Sequence, residues 1–131
     1  MMDSLTPLLA SALSAAVPLL LASTGELVTE RAGVLNLGLE GMMLLGALSS
    51  FATVSLGGGV VLGVAMGMLC GIMAAWVFGL MTISLQANQV AAGLSLTILG
   101  TGLTSALGRP FAGSSVDTGL APAPIPLLRD M

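Results

Sequence analysis

The sequence predicts an all-α fold, a polytopic membrane bundle of about four apolar segments with one interrupted helix. Three observations carry that prediction. The 131 residues are 56% hydrophobic and only 7% charged, against roughly a quarter charged in an ordinary soluble domain. From Gly41 to Gly108 there is no Asp, Glu, Lys or Arg at all; a soluble surface needs such groups to stay dispersed, whereas lipid solvates their absence. The apolar runs are punctuated by glycine and short polar joints at intervals near the length of a membrane crossing.

The first segment, residues 5–23, would cover about 28 Å as a helix, close to the hydrocarbon thickness of a bilayer. Its leader MMDSLTP carries Asp3 and no basic residue, unlike a secretory signal, so the segment is expected to be a retained helix with Pro18 as a candidate kink. The polar joint TGELVTERAG (24–33) then reads as a solvated turn at the membrane surface, with Glu26 part of it. The second segment is ambiguous. Residues 41–56 alone reach only about 24 Å, and extension back to residue 32 gives a full span over 32–56 that carries Asn36 and Glu40 below the interface.

The third span, expected over 60–84, carries Gly59, Gly63, Gly67 and Gly71 at four-residue steps, continued by Ala75 and Gly79. Such a row makes one nearly straight ridge without side chains, and close backbone approach is how helices pack in lipid. Cys70 in the same span is expected to be a small packing residue. The fourth span, 88–108, opens on Asn88 and Gln89, which suit capping at the interface. Residues 109–131 change character: APAPIP denies a helix and predicts an extramembrane loop of extended, polyproline-like course.

Composition also excludes whole classes of function. A net charge of −3 with three arginines offers no basic face for nucleic acid. With no histidine and one cysteine there is no metal-ligand spacing, no disulfide framework and no nucleophile–base pair. The GGG at 57–59 lacks the lysine of a phosphate loop. No cofactor and no catalytic residue are expected.

The stretch ERAGVLNLGLEGMMLLGA (30–47) is where function concentrates. An ionised carboxylate at depth costs a few kcal/mol, so Glu40 must face a water-filled cavity, pair with a donor or lie near an interface. Asn36 and Glu40 share a helical face, while Gly33, Gly38 and Gly41 weaken the helix around them. A short, glycine-interrupted segment carrying polar groups is what transporters place beside a path. Asn36, Gly38, Glu40 and Gly41 are therefore the candidate path-lining residues. The competing reading makes Glu40 an ordinary charge at a helix N-terminus.

The same stretch resembles the permease subunits of ATP-binding-cassette importers, in the branch for branched-chain amino acids, simple sugars and nucleosides, most of all the nucleoside and simple-sugar permeases. The shared run E-R-x-G-x-x-N-x-G-x-E-G-M-M falls here on Glu30, Arg31, Gly33, Asn36, Gly38, Glu40, Gly41, Met42 and Met43. LQANQVAAGLSLTILGTGLTS (85–105) resembles the family's polar link and following span, departing from it where Thr97 replaces a frequent polar amide, and APAPIPLL resembles a proline-rich external loop. The likeness covers nearly the whole chain but only the front part of a typical family member, without the later basic segment that docks on the ATPase. Residues 1–131 are thus expected to be the N-terminal part of a permease domain.

The resemblance implies a multi-pass protein of the plasma (inner) membrane, embedded in membrane lipid. It implies a second permease chain, cytoplasmic ATPase subunits that alternate access, and an external solute-binding lipoprotein. ATP hydrolysis would belong to a separate chain, and this chain would be no enzyme but part of the conduit for a small polar solute. The alternative from the residues alone is a small oligomeric ion-coupled carrier or channel-like protein, with Glu40 as its ion site and the glycine row as its seam.

Overall fold

Long apolar runs with few breakers build four helices in the computed structural model, which describes residues 2–114. They are α1 (Met2–Arg31), α2 (Leu39–Ser55), α3 (Val60–Gly79) and α4 (Gln89–Leu107). A π-helical turn, Leu80–Ser84, prolongs α3, and a 3-10 turn, Arg109–Phe111, follows α4. Pro7–Arg31, Val60–Ser84 and Gln89–Leu107 are long and apolar enough to cross a membrane, while α2 is a shorter apolar helix. The proline-rich loop expected beyond residue 114 lies outside the described residues.

The joint at 24–33 is not a turn. α1 continues without a break to Arg31. The sequence TGELVTER is polar but rich in good helix formers, and polarity alone does not end a helix. At 30 residues α1 is about 45 Å long, well beyond a bilayer's apolar core of roughly 30 Å, so its polar last turns can stand at headgroup level. The helix stops at Gly33, whose φ is +83°. The Gly33 N–H bonds the Glu30 carbonyl and the Val34 N–H bonds the Thr29 carbonyl, both at 2.9 Å, the pairing of a Schellman cap. The C-terminus of α2 repeats it: Gly57 N–H to the Val54 carbonyl and Gly58 N–H to the Thr53 carbonyl, with Gly57 at φ +90°.

A Cβ at Gly33 would meet nothing within 4 Å. Gly33→Ala therefore carries only the backbone cost of a left-handed residue, about 1 kcal/mol. A thermal melt of the purified protein should show a loss of that size, and an unchanged melt would remove the cap's role.

Within the segment expected over 32–56, the helix is interrupted at its start. Residues 32–38 are non-helical and α2 starts at Leu39. α2 and α3 form an antiparallel pair, because Gly46 meets Gly67 while Ser50 and Val54 meet Gly63. α2 and α4 run parallel: Gly41 lies against Leu96 and Gly100, Leu48 against Gly108, and Phe51 against Phe111. The last pair is edge-to-face, with ring centroids 6.4 Å apart. A small core of Met42, Ala74, Phe78, Ala92 and Leu96 joins these three helices, and Val34, Leu45 and Met81 pack against it. Most other large apolar side chains face outward, Leu13 and Leu21 of α1 being 73% and 70% exposed. Lipid, not water, is the solvent that tolerates such a surface.

Candidate functional site

Every backbone polar group buried away from water needs a partner, so an unwound segment among apolar helices must find its partners on side chains. Residues 33–38 do so. Gln89 reaches from the first turn of α4 with its Oε1 accepting the Leu35 N–H at 2.8 Å and its Nε2 donating to the Gly33 carbonyl at 3.4 Å. Glu26 of α1 accepts the Asn36 N–H on Oε1 at 2.9 Å. Thr97 Oγ1, two turns further along α4, donates to the Leu37 carbonyl at 2.9 Å. Asn36 itself is buried at 9% exposure, and its Oδ1 accepts the Gly38 N–H at 3.0 Å, closing an Asx turn that leads into α2. Its Nδ2 faces the Met42 sulfur at 3.8 Å.

From Gln89 to Thr97 the segment descends about 12 Å alongside α4, at the rise of an α-helix. α2, with 17 residues and about 25 Å of length, thus begins below the level at which α4 does. Backbone fits against backbone there. A Cβ at Gly93 would lie 2.9 Å from the amides of Leu37 and Gly38, and a Cβ at Gly41 would lie 2.5 Å from the Leu96 carbonyl oxygen. A Cβ at Gly100 would lie 2.7 Å from Gly41.

Of the four path-lining candidates, Gly38 and Gly41 are buried against α4, and Asn36 is buried beside Gly38 and Met42. Glu40 is exposed in the first turn of α2. It lines a groove of about 680 Å³ between α1 and α2, together with Ser23, Glu26, Glu30, Leu39 and Met43. In the glycine row, Gly63 and Gly67 face α2, whereas a Cβ at Gly59 or Gly71 would meet nothing within 4 Å. Asn88 caps α4, its Oδ1 accepting the Ala91 N–H at 3.1 Å. Cys70 is a half-buried free thiol on α3. Among the described residues, no group of three or more Cys, Asp or Glu could hold a metal ion.

Sequence reasoning missed Glu26, Gln89 and Thr97 as partners of the segment. The signal available was their chemistry: three hydrogen-bonding side chains within or beside apolar helices, near a glycine-rich break that must lose its own backbone bonds.

Residues 8–124 match the family model described as branched-chain amino acid transport system, permease component. The chain belongs to that permease family. Within it, the chain is similar to a putative glucose ABC transporter permease of Haloferax volcanii, with 47% identity over 92% of this chain and 36% of the relative. A guanosine ABC transporter permease of Bacillus subtilis is 36% identical over 68% of this chain and 30% of its own length. A nucleoside ABC transporter permease of Lactococcus lactis is 30% identical over 77% and 34%. The chain thus spans about a third of the length of these permeases. No solved structure matches it significantly. Family membership and the three long apolar helices make it a multi-pass membrane protein.

Proposed function

We propose that the chain forms part of the translocation path of an ATP-driven importer for a small polar solute, a nucleoside or a simple sugar. One structural observation supports this above the others. A non-helical segment is let into apolar helices, its backbone bonded by side chains of two of them, and it ends at the start of a short helix. In a membrane, irregular backbone is tolerated where protein encloses it or where it borders a cavity. Relatives named for glucose, guanosine and nucleosides support the solute class. On this reading the working importer holds a second permease chain, cytoplasmic ATPase subunits and an external solute-binding lipoprotein, and it resides in the plasma (inner) membrane. ATP chemistry belongs to the ATPases.

Glu40 forms part of the wall of the path on this reading. Glu40→Ala is expected to lower uptake about tenfold, the equivalent of one lost polar interaction of about 1.4 kcal/mol, while membrane abundance stays near wild type. The measurement is uptake of radiolabelled nucleosides and sugars by cells that carry the gene among its native partners, compared with the deletion strain. Normal uptake by Glu40→Ala removes Glu40 from the path. Uptake that survives deletion of the gene removes the importer reading. Affinity capture of the protein from solubilised membranes supplies the partner test, since an importer subunit brings down an ATPase and an oligomeric carrier brings down copies of itself.

A further inference from the structure

α1 stands apart from the other helices: the 18-residue apolar stretch that qualifies it as a span has none of its residues buried, and a groove separates it from α2. Among the described residues, its C-terminal end alone is joined to the bundle by a directed polar contact of a side chain. There the Glu26 carboxylate accepts the Asn36 N–H. The Thr29 hydroxyl donates to the Glu26 carbonyl oxygen at 2.8 Å and lies beside that carboxylate, 3.3 Å from Glu26 Oε2. Between the two ends of the joint lies Gly33, whose Cβ position is open space. At Gly33 the chain is held by its capping bonds to Glu30 and Thr29 and by Gln89 at its carbonyl, with no side chain packed on it.

The other side of the segment is fastened differently. Gln89 and Thr97 bond it to α4, and Gly38 and Gly93 bring the two backbones into direct contact. The segment is therefore seated on α4, and beyond the capping bond of Val34 to Thr29, α1 reaches it through one side chain. We infer that Glu26 is a positioning residue, which transmits movement of α1 to Asn36 and the start of α2 during transport. This rests on the permease reading above. An acceptor is what the joint requires, because its partner is a backbone N–H and not a cation. The conservative amide can serve, since a glutamine oxygen accepts the same bond.

Two measurements on the protein among its native partners test this. In uptake assays, Glu26→Ala should lower the maximal rate about tenfold, as expected for losing a hydrogen bond to a charged acceptor, with KM within about twofold and membrane abundance unchanged. Glu26→Gln should restore the rate to within about threefold. A maximal rate unchanged in Glu26→Ala, or a glutamine variant as slow as the alanine one, overturns the inference. In parallel, hydrogen exchange in lipid nanodiscs should show the amides of residues 33–38 exchanging about tenfold faster in Glu26→Ala, with α3 unaffected. Unchanged exchange there overturns the clamp whether or not solute moves. A wild-type protein that moves no solute, but whose segment loosens in Glu26→Ala, overturns the permease reading and leaves the joint standing.

Discussion

Gly41→Ala and Gly100→Ala should each destabilise the folded protein by about 2–3 kcal/mol, the upper range for overpacking a tight contact. The reason is geometric. The Cβ of an alanine at position 41 would sit 2.5 Å from the Leu96 carbonyl oxygen and 2.8 Å from the Thr97 Cα. Both are backbone atoms of a helix and cannot rotate away. At position 100 the new Cβ would meet the Cα and carbonyl oxygen of Gly41 at 2.7 Å each. Relief requires α2 and α4 to separate, which breaks the Thr97 bond to Leu37 and loosens the core around Met42 and Leu96.

Gly71→Ala is the matching control. Its Cβ would meet nothing within 4 Å, and alanine gains about 1 kcal/mol over glycine inside a helix, so stability should hold or rise. Thermal unfolding in detergent, followed by the fluorescence of Trp76, the single tryptophan, should place Gly41→Ala roughly ten degrees below wild type. Equal midpoints for the variants at 41 and 71 would mean that the two backbones do not touch.

These two glycines also mark what the sequence could reveal and what it could not. The lengths and ends of α3 and α4 follow from apolar runs that glycine and asparagine punctuate, and Asn88 caps where a capping residue is expected. The interruption before α2 was signalled by Gly33 and Gly38 flanking a polar Asn36. A four-step row on one helix is visible in one dimension, so Gly63 and Gly67 could be read as a packing face. The seam of α2 with α4 could not. It is assembled from Gly38 and Gly41 on one side and Gly93 and Gly100 on the other, more than fifty residues apart, and neither side repeats at four steps. The bonds from Glu26 to Asn36 and from Gln89 to Leu35 were illegible for a similar reason. Local pattern tells which backbone groups lose their helical partners, but three-dimensional approach decides which side chains replace them. The polar turn expected at 24–33 failed on a different principle, since polarity marks where water is and helix propensity decides where the chain bends.

Asn36 carries the other large effect, because it is both buried and structurally committed. Asn36→Leu keeps the branched shape and heavy-atom count of the side chain and removes the acceptor that the Gly38 N–H uses. Gly38 is buried against Leu96 and Gly93, so its amide has no water to turn to, and an unsatisfied buried donor costs about 1–3 kcal/mol. The Asx turn that aims the chain into α2 is lost with it. The expected outcome is a segment that no longer descends along α4 in one conformation, read as hydrogen exchange about tenfold faster or more across residues 35–41. Uptake should fall at least as far, since the same residues support the start of α2, where Glu40 stands. Asn36→Asp separates this role from solute recognition. An aspartate oxygen still accepts the Gly38 N–H and keeps the turn, while the amide NH₂ that faces Met42 is gone. Exchange near wild type with uptake abolished would assign the amide to the solute. Recovery of both would assign Asn36 to the turn, which is the result its bonds in the structure favour.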